Sequence, residues 1–171
     1  LPILSTSPQV IARDAARLFG TDLALRDGAG GADLTLLGQF RGNGASGDIG
    51  LAVGNDNIVQ ALTMRLRVRV GELAPLGWPD FGSRLHELIG EPDLPRTRLK
   101  AQVFARNAVE ADPRVAQVLA VTVTPVRGER QVLRLALDLL LITGPQPLNL
   151  VFDLALDGGG TAAAAAAGAA P

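Results

Sequence analysis

No cysteine occurs in the 171-residue chain, and His86 is its only histidine. The first absence excludes disulfides, thiolate nucleophiles and Cys-ligated zinc or iron–sulfur sites. The second excludes a multi-histidine metal centre within one chain. There is no run of eighteen apolar residues, so no segment reads as a membrane-spanning helix. A net charge of −1 and a pI near 5.8 leave no positive excess for gripping phosphates, which argues against a nucleic-acid partner. Lysine is nearly missing: Lys100 stands alone among 16 basic residues, and the rest are arginine. Arginine's planar fork favours interfaces, and coding in a GC-rich genome, with abundant Ala and Gly, gives the same bias.

What is present divides the chain in three. Residues 1–54 are Gly-rich and lean towards strand, with short apolar runs at 21–25, 34–37 and 48–53 separated by Gly, Asp and Asn. Ser7-Pro8 followed by Val10, Ile11, Ala15 and Leu18 suits a short helix. From residue 55 the pattern changes. Asn55 or Asp56 is a fitting N-cap for a helix whose Ile58, Leu62 and Leu66 share one face; its end, where Arg alternates with apolar residues from Arg65 to Val70, reads equally as extended, and Gly71 is the stop. Ser83 is placed to cap a short helix striped by Leu85, Leu88 and Ile89. Asp93 and Pro95 open a longer helix lined by Ala101, Phe104, Ala105, Ala108 and Val109, which Pro113 ends.

Three alternating segments follow. The first, residues 115–126, carries Leu119, Val121 and Val123 on one face, and Arg127-Gly128-Glu129-Arg130 reads as a hairpin turn. The second places Leu133, Leu135, Leu137, Leu139 and Leu141 on one face. The third, residues 148–156, does the same with Leu148, Leu150, Phe152, Leu154 and Leu156. Residues 158–171 are a low-complexity Ala/Gly tail, expected to be a flexible arm. The fold class is therefore α+β: two or three helices packed on an antiparallel sheet, behind a strand-rich N-terminal extension. Residues 55–157 form the main domain.

Enzymatic motifs are weak. Gly42-Asn43-Gly44-Ala45-Ser46-Gly47 matches G-x-G-x-x-G by letter, but the segment after it reads as strand rather than helix, so no dinucleotide or other cofactor is expected. Glu72, Asp80, Glu87 and Glu91 are the nearest set of carboxylates for glycoside hydrolysis, and their spacing fixes no pair. A Ser-His-Asp site would have to use His86, on a short helix. No catalytic residue is assigned.

Five short motifs stand in order: Gly54-Asn55-Asp56-Asn57-Ile58-Val59-Gln60-Ala61-Leu62, Arg65-Leu66, Gly71-Glu72-Leu73, Pro79-Asp80-Phe81-Gly82-Ser83-Arg84-Leu85 and Asp112-Pro113-Arg114-Val115. Together they resemble the baseplate wedge, or sheath-initiator, family of contractile phage tails, with relatives in type VI secretion and extracellular injection systems. The family's name has long carried the word "lysozyme". The type VI relatives carry Glu-Pro-Arg where this chain has Asp112-Pro113-Arg114. The resemblance implies a non-enzymatic structural protein, six copies to a baseplate, assembled in the bacterial cytoplasm and resident in a tail or injection particle. Its implied partners are wedge proteins, the first ring of sheath subunits, and hub or tube proteins. It presents a sheet that the sheath extends. The partner-facing residues expected on this reading are Asp112, Pro113, Arg114, Trp78, Phe81, Gly82, Arg84, Leu150, Phe152 and Leu154. Three alternatives stay open. Arg114 meets either a partner carboxylate or, within the chain, Asp112 or Glu110. Trp78 is either an interface anchor or core. The last strand is either an edge open to strand addition or fully paired. Rivals to the family reading are a peptidoglycan-cleaving lysozyme and a soluble adaptor.

Overall fold

The computed structural model describes residues 17–28, 31–37 and 48–158. The 42–47 glycine segment, most of the expected N-terminal helix and the Ala/Gly tail beyond residue 158 lie outside them; residues 17–19 are helical.

Among the described residues, the N-terminal part holds six short strands: β1 (Thr21–Leu23), β2 (Leu25–Gly28), β3 (Gly31–Leu34), β4 (Leu36–Leu37), β5 (Asp48–Ile49) and β6 (Leu51–Val53). They pair antiparallel as three separate ladders: β1 with β6, β2 with β3, and β4 with β5. The ladders meet at Ala24, Thr35 and Gly50, whose backbones close a ring of three hydrogen bonds. Ala24 N–H donates to Gly50 C=O, Gly50 N–H to Thr35 C=O and Thr35 N–H to Ala24 C=O, each at 2.7 Å. Each of the three extended stretches thus pairs with both others, and every backbone group at the centre is satisfied. A Cβ on Gly50 would lie 3.2 Å from the Thr35 carbonyl oxygen, so glycine suits this closest approach.

Helix α1 (Asn55–Arg67) leaves β6 directly through Gly54, whose φ of 60° turns the chain. No side chain caps it, contrary to the expected Asn55 or Asp56 cap, because the turn residue is glycine and the helix begins one position later. Its polar side chains instead hold the strand module. Asn57 Nδ2 donates to the Phe19 carbonyl at 2.7 Å, while Gln60 accepts from Leu25 N–H at 2.8 Å and donates to the Leu23 carbonyl at 2.9 Å. The helix stops at Arg67, before Gly71. Val68 is already extended, and the chain from Val68 to Val70 pairs with Ser83 in a parallel bridge.

Helix α2 (Pro95–Glu110) starts with proline in its first turn, as expected. Its inner face is Ala101, Ala105, Ala108 and Val109, small residues that let the helix seat closely against the sheet. That sheet is β7 (Val115–Pro125), β8 (Val132–Leu141) and β9 (Pro147–Ala155), antiparallel and in that spatial order. The expected leucine stripes of β8 and β9 fill the core with Ile58, Leu62, Leu66, Leu85 and Leu88. Two expectations of facing fail. Leu119 is exposed because β7 carries irregularities at 115/117 and 118/120, which shift the alternation and bury Val118 with Val121. Ile89 is exposed because Leu85–Leu88 is a 3₁₀ turn, in which only i and i+3 share a face.

Replacing Gln60 with alanine strands the Leu25 N–H and Leu23 C=O at once. The expected loss is about 1–2 kcal/mol of stability. It should come with faster amide exchange in β1 and β2 and unchanged exchange in β8, read by hydrogen–deuterium exchange and chemical denaturation.

Candidate functional site

Three of the motifs, Arg65-Leu66, the Phe81–Arg84 segment and Asp112-Pro113-Arg114, meet at one corner, where α1 ends and α2 hands over to β7. Asp112 is its centre and is 3% exposed. Proline at 113 breaks the helix and lets the backbone fold back, so that Arg114 grips the carboxylate two residues before it. Arg114 Nε donates to Oδ1 at 2.9 Å, its Nη2 to Oδ2 at 2.8 Å, and its backbone N–H to Oδ1 at 3.0 Å. Arg65 approaches the same carboxylate from α1, its Nε 3.9 Å from Oδ2, and lies over the Phe81 ring at 4.5 Å.

Burial works to raise the Asp112 pKa. The Arg114 hydrogen bonds and the Arg114 and Arg65 charges outweigh it, and the carboxyl sits below the usual aspartate range. The matching bond raises Arg114 against its own desolvation. Of the partners left open for Arg114, the structure thus provides Asp112. Two guanidinium groups face one buried carboxylate, and the second is stabilised by an aromatic face rather than by a second acid.

The Phe81–Arg84 segment is fitted to this corner. Gly82, at φ 120°, lies so close to the end of α1 that a Cβ would sit 2.7 Å from the Val68 carbonyl oxygen and the Arg69 carbonyl carbon. Ser83 Oγ donates to the Leu66 carbonyl at 2.6 Å, satisfying one of the orphan acceptors of the last turn of α1. Arg84 stacks over Phe104 at 4.7 Å and pairs with Glu87 through two bonds of 2.7 and 2.8 Å. Trp78 takes the surface alternative: it is 61% exposed beside Leu76 at 73%, on a loop closed by Gly77 N–H to Ala74 C=O and Trp78 N–H to Leu73 C=O.

The last strand is an edge. Leu150, Phe152 and Leu154 are at most 2% exposed, so their side chains belong to the core and cannot meet a partner. Bonds from Val126 N–H to Val132 C=O and from Leu156 N–H to Gln131 C=O fix the phase of both ladders. Even-numbered residues of β8 therefore bond to β7 and odd-numbered ones to β9, which turns the backbone groups of Asn149, Val151 and Asp153 outward. The sequence named the alternate set of residues because hydrophobicity marks side-chain facing, not the direction of N–H groups. The two sheet edges differ. On β7, the Val121 and Val118 carbonyls accept from Gln102 at 2.8 Å and Arg106 at 3.2 Å of α2. On β9, no hydrogen bond to the outward groups of residues 149, 151 and 153 occurs among the described residues.

Three of the carboxylates considered for hydrolysis, Glu72, Glu87 and Glu91, are engaged individually rather than as a pair with separated roles. Glu87 is tied to Arg84 and Glu91 to Lys100 at 2.7 Å. Hydrogen bonding lowers both pKa values, the reverse of what a general acid needs. Glu72 accepts from the Arg69 N–H at 3.1 Å. No group of three or more His, Asp or Glu side chains suited to a metal ion occurs among the described residues.

No protein-family model matches the sequence, and neither does any curated protein. Among solved structures the chain is similar to a Geobacter sulfurreducens protein described as a candidate tail lysozyme. Identity is 22%, the TM-score is 0.51, and the match covers 59% of this chain and 89% of that one. The likeness is one of fold.

Asp112→Asn should remove the charge that both arginines face and lower stability by about 2–4 kcal/mol at pH 7. The folded carboxyl titrates below its unfolded value of about 3.9, so its contribution is full above about pH 5 and fades as pH falls through the folded pKa. Urea melts of the two proteins should therefore differ most at pH 7, and the difference should shrink as the pH falls below about 4.

Proposed function

We propose that the chain is a structural component of a contractile tail baseplate, docking on the wedge and offering the β9 edge as the start of sheath polymerisation. The observation that carries this reading is the asymmetry of the sheet: α2 side chains cover one edge and leave the other with outward backbone groups. The fold likeness to a protein described as a candidate tail lysozyme supports the tail setting. The ordered motifs supply the wedge and sheath partners. In this reading the Asp112-Pro113-Arg114 corner fixes the angle between α2 and the sheet. Trp78 and Leu76 form the exposed apolar contact on the wedge side, and Arg84 and Phe81 hold that loop from behind.

Complementation of a deletion strain tests it, with negatively stained particles scored for sheath. Val151→Pro removes an outward donor without touching the β8 ladder, and Val151→Ala keeps that donor. Wild type and Val151→Ala should restore sheathed tails, and Val151→Pro should leave bare tubes. Normal sheath with Val151→Pro removes the edge from the mechanism. Normal sheath in the deletion strain overturns the reading itself.

The solved neighbour's description brings a second reading, cleavage of peptidoglycan. Purified chain at high concentration should leave a cell-wall suspension turbid. Clearing that one Glu or Asp substitution abolishes would put the lysozyme reading in place of the structural one.

A further inference from the structure

The loop between α1 and Phe81 is built without a share in the core. Of residues 71–80 only Leu73 is even half-buried, and Leu76 and Trp78 are 73% and 61% exposed. Among the described residues, every hydrogen bond of this segment runs to another residue between Arg69 and Phe81. Leu73 C=O accepts from Leu76 N–H at 3.0 Å and from Trp78 N–H at 3.1 Å, and Gly77 N–H closes onto Ala74 C=O at 3.0 Å. A Cβ on Gly71 or Gly77 would meet nothing within 4 Å apart from its chain neighbours, so the space around the loop is open. Its base is pinned. Val70 N–H donates to Ser83 C=O at 3.0 Å, Ser83 N–H donates to Val68 C=O at 2.8 Å, and Phe81 lies under Arg65 of the Asp112 corner. The result is a fixed knob that carries a tryptophan and a leucine into solvent.

Such a knob gains its free energy only when something takes its side chains out of water. Tryptophan brings a large contact area with few rotatable bonds, and a loop already folded spares the cost of ordering it on contact. The charges then decide between a lipid surface and a protein. From Leu73 to Phe81 the one charged residue is Asp80, two positions after the ring, and its carboxylate has no partner among the described residues. An interfacial anchor sets Lys or Arg beside its aromatic to meet anionic headgroups, and here an acid stands in that place. We propose that Trp78 and Leu76 insert into an apolar pocket on another polypeptide, with a cationic side chain on the pocket rim opposite Asp80. This deepens the contact that the tail reading gives to the loop, and rests on that reading for where the partner is found but not for its chemistry.

Photo-crosslinking tests it on the full chain, with Leu76→p-benzoylphenylalanine expressed in the deletion strain and irradiated in the cell. The cross-linked peptide, read by mass spectrometry, should come from one other protein and carry apolar residues beside an Arg or Lys. At low expression, Trp78→Ala should cut the yield roughly 30-fold and Asp80→Lys roughly tenfold. Reversing the partner's cation to Glu should restore the yield of Asp80→Lys. Leu99→p-benzoylphenylalanine, an equally exposed site on α2 at 61%, should not give that peptide. All these chains should keep the wild-type urea melt, because none of the replaced side chains is buried; a chain that unfolds overturns the knob as an external device. No cross-link, a cross-link to lipid or to a second copy of the chain, or a yield that Asp80→Lys leaves unchanged overturns the proposal. A peptide of the expected chemistry from a protein outside any tail supports the pocket and overturns the tail reading. Sheathed tails without a cross-link do the reverse.

Discussion

A single buried carboxylate fixes the geometry of the whole C-terminal domain. Asp112 sits where a helix must become a strand. With its two oxygens engaged by Arg114 and one facing Arg65, it ties α1, the end of α2 and the first residue pairs of β7 into one corner. Without the acid, two arginines would be left half-desolvated at a place where the backbone reverses. With it, the corner is a rigid joint, and the Phe81 ring closes it from the loop side. The pair is more a device for orientation than a net source of stability.

From that joint the two sheet edges acquire different characters. The angle of α2 brings Gln102 and Arg106 onto β7, where they occupy carbonyl groups that a neighbouring strand would otherwise take. The opposite edge receives no such cover among the described residues. Its outer surface is nevertheless organised, because the Arg134–Asp153 and Asn149–Asp138 pairs cross from β8 to β9. Edge strands of this kind are usually blunted by lysine or proline. Here the only proline of β9 is at its start, Pro147, and β9 contains no lysine.

Much of this was legible in the residues. The fold class and the three final strands followed from period-2 leucine spacing. So did the core faces of both helices, where hydrophobic contrast along the chain was strong enough to override local preference. The errors came from features that leave no hydrophobic signature. An irregular ladder in β7 changes the facing of Leu119 without changing its letter, and a 3₁₀ turn narrows a stripe by one residue at Ile89. A left-handed Gly54 takes the place of a polar cap. The motifs of the site were visible as letters, but their convergence was not. Nothing in the spacing of Arg65, Phe81 and Asp112 says that they meet, since Phe81 and Asp112 lie 16 and 47 positions after Arg65. Leu150, Phe152 and Leu154 mark the correct strand and the wrong atoms.

The ring at Ala24, Thr35 and Gly50 has a consequence for how such a chain can change over generations. Its three bonds close at the inner ends of the ladders, while the connections from β2 to β3 and from β4 to β5 leave from the outer ends. Residues gained or lost between Gly28 and Gly31, or between Leu37 and Asp48, therefore lengthen a spoke without disturbing the hub or the register of the other two. These two spokes are free to diverge in length and sequence, and the hub and its grip on Gln60 set the limits of that drift.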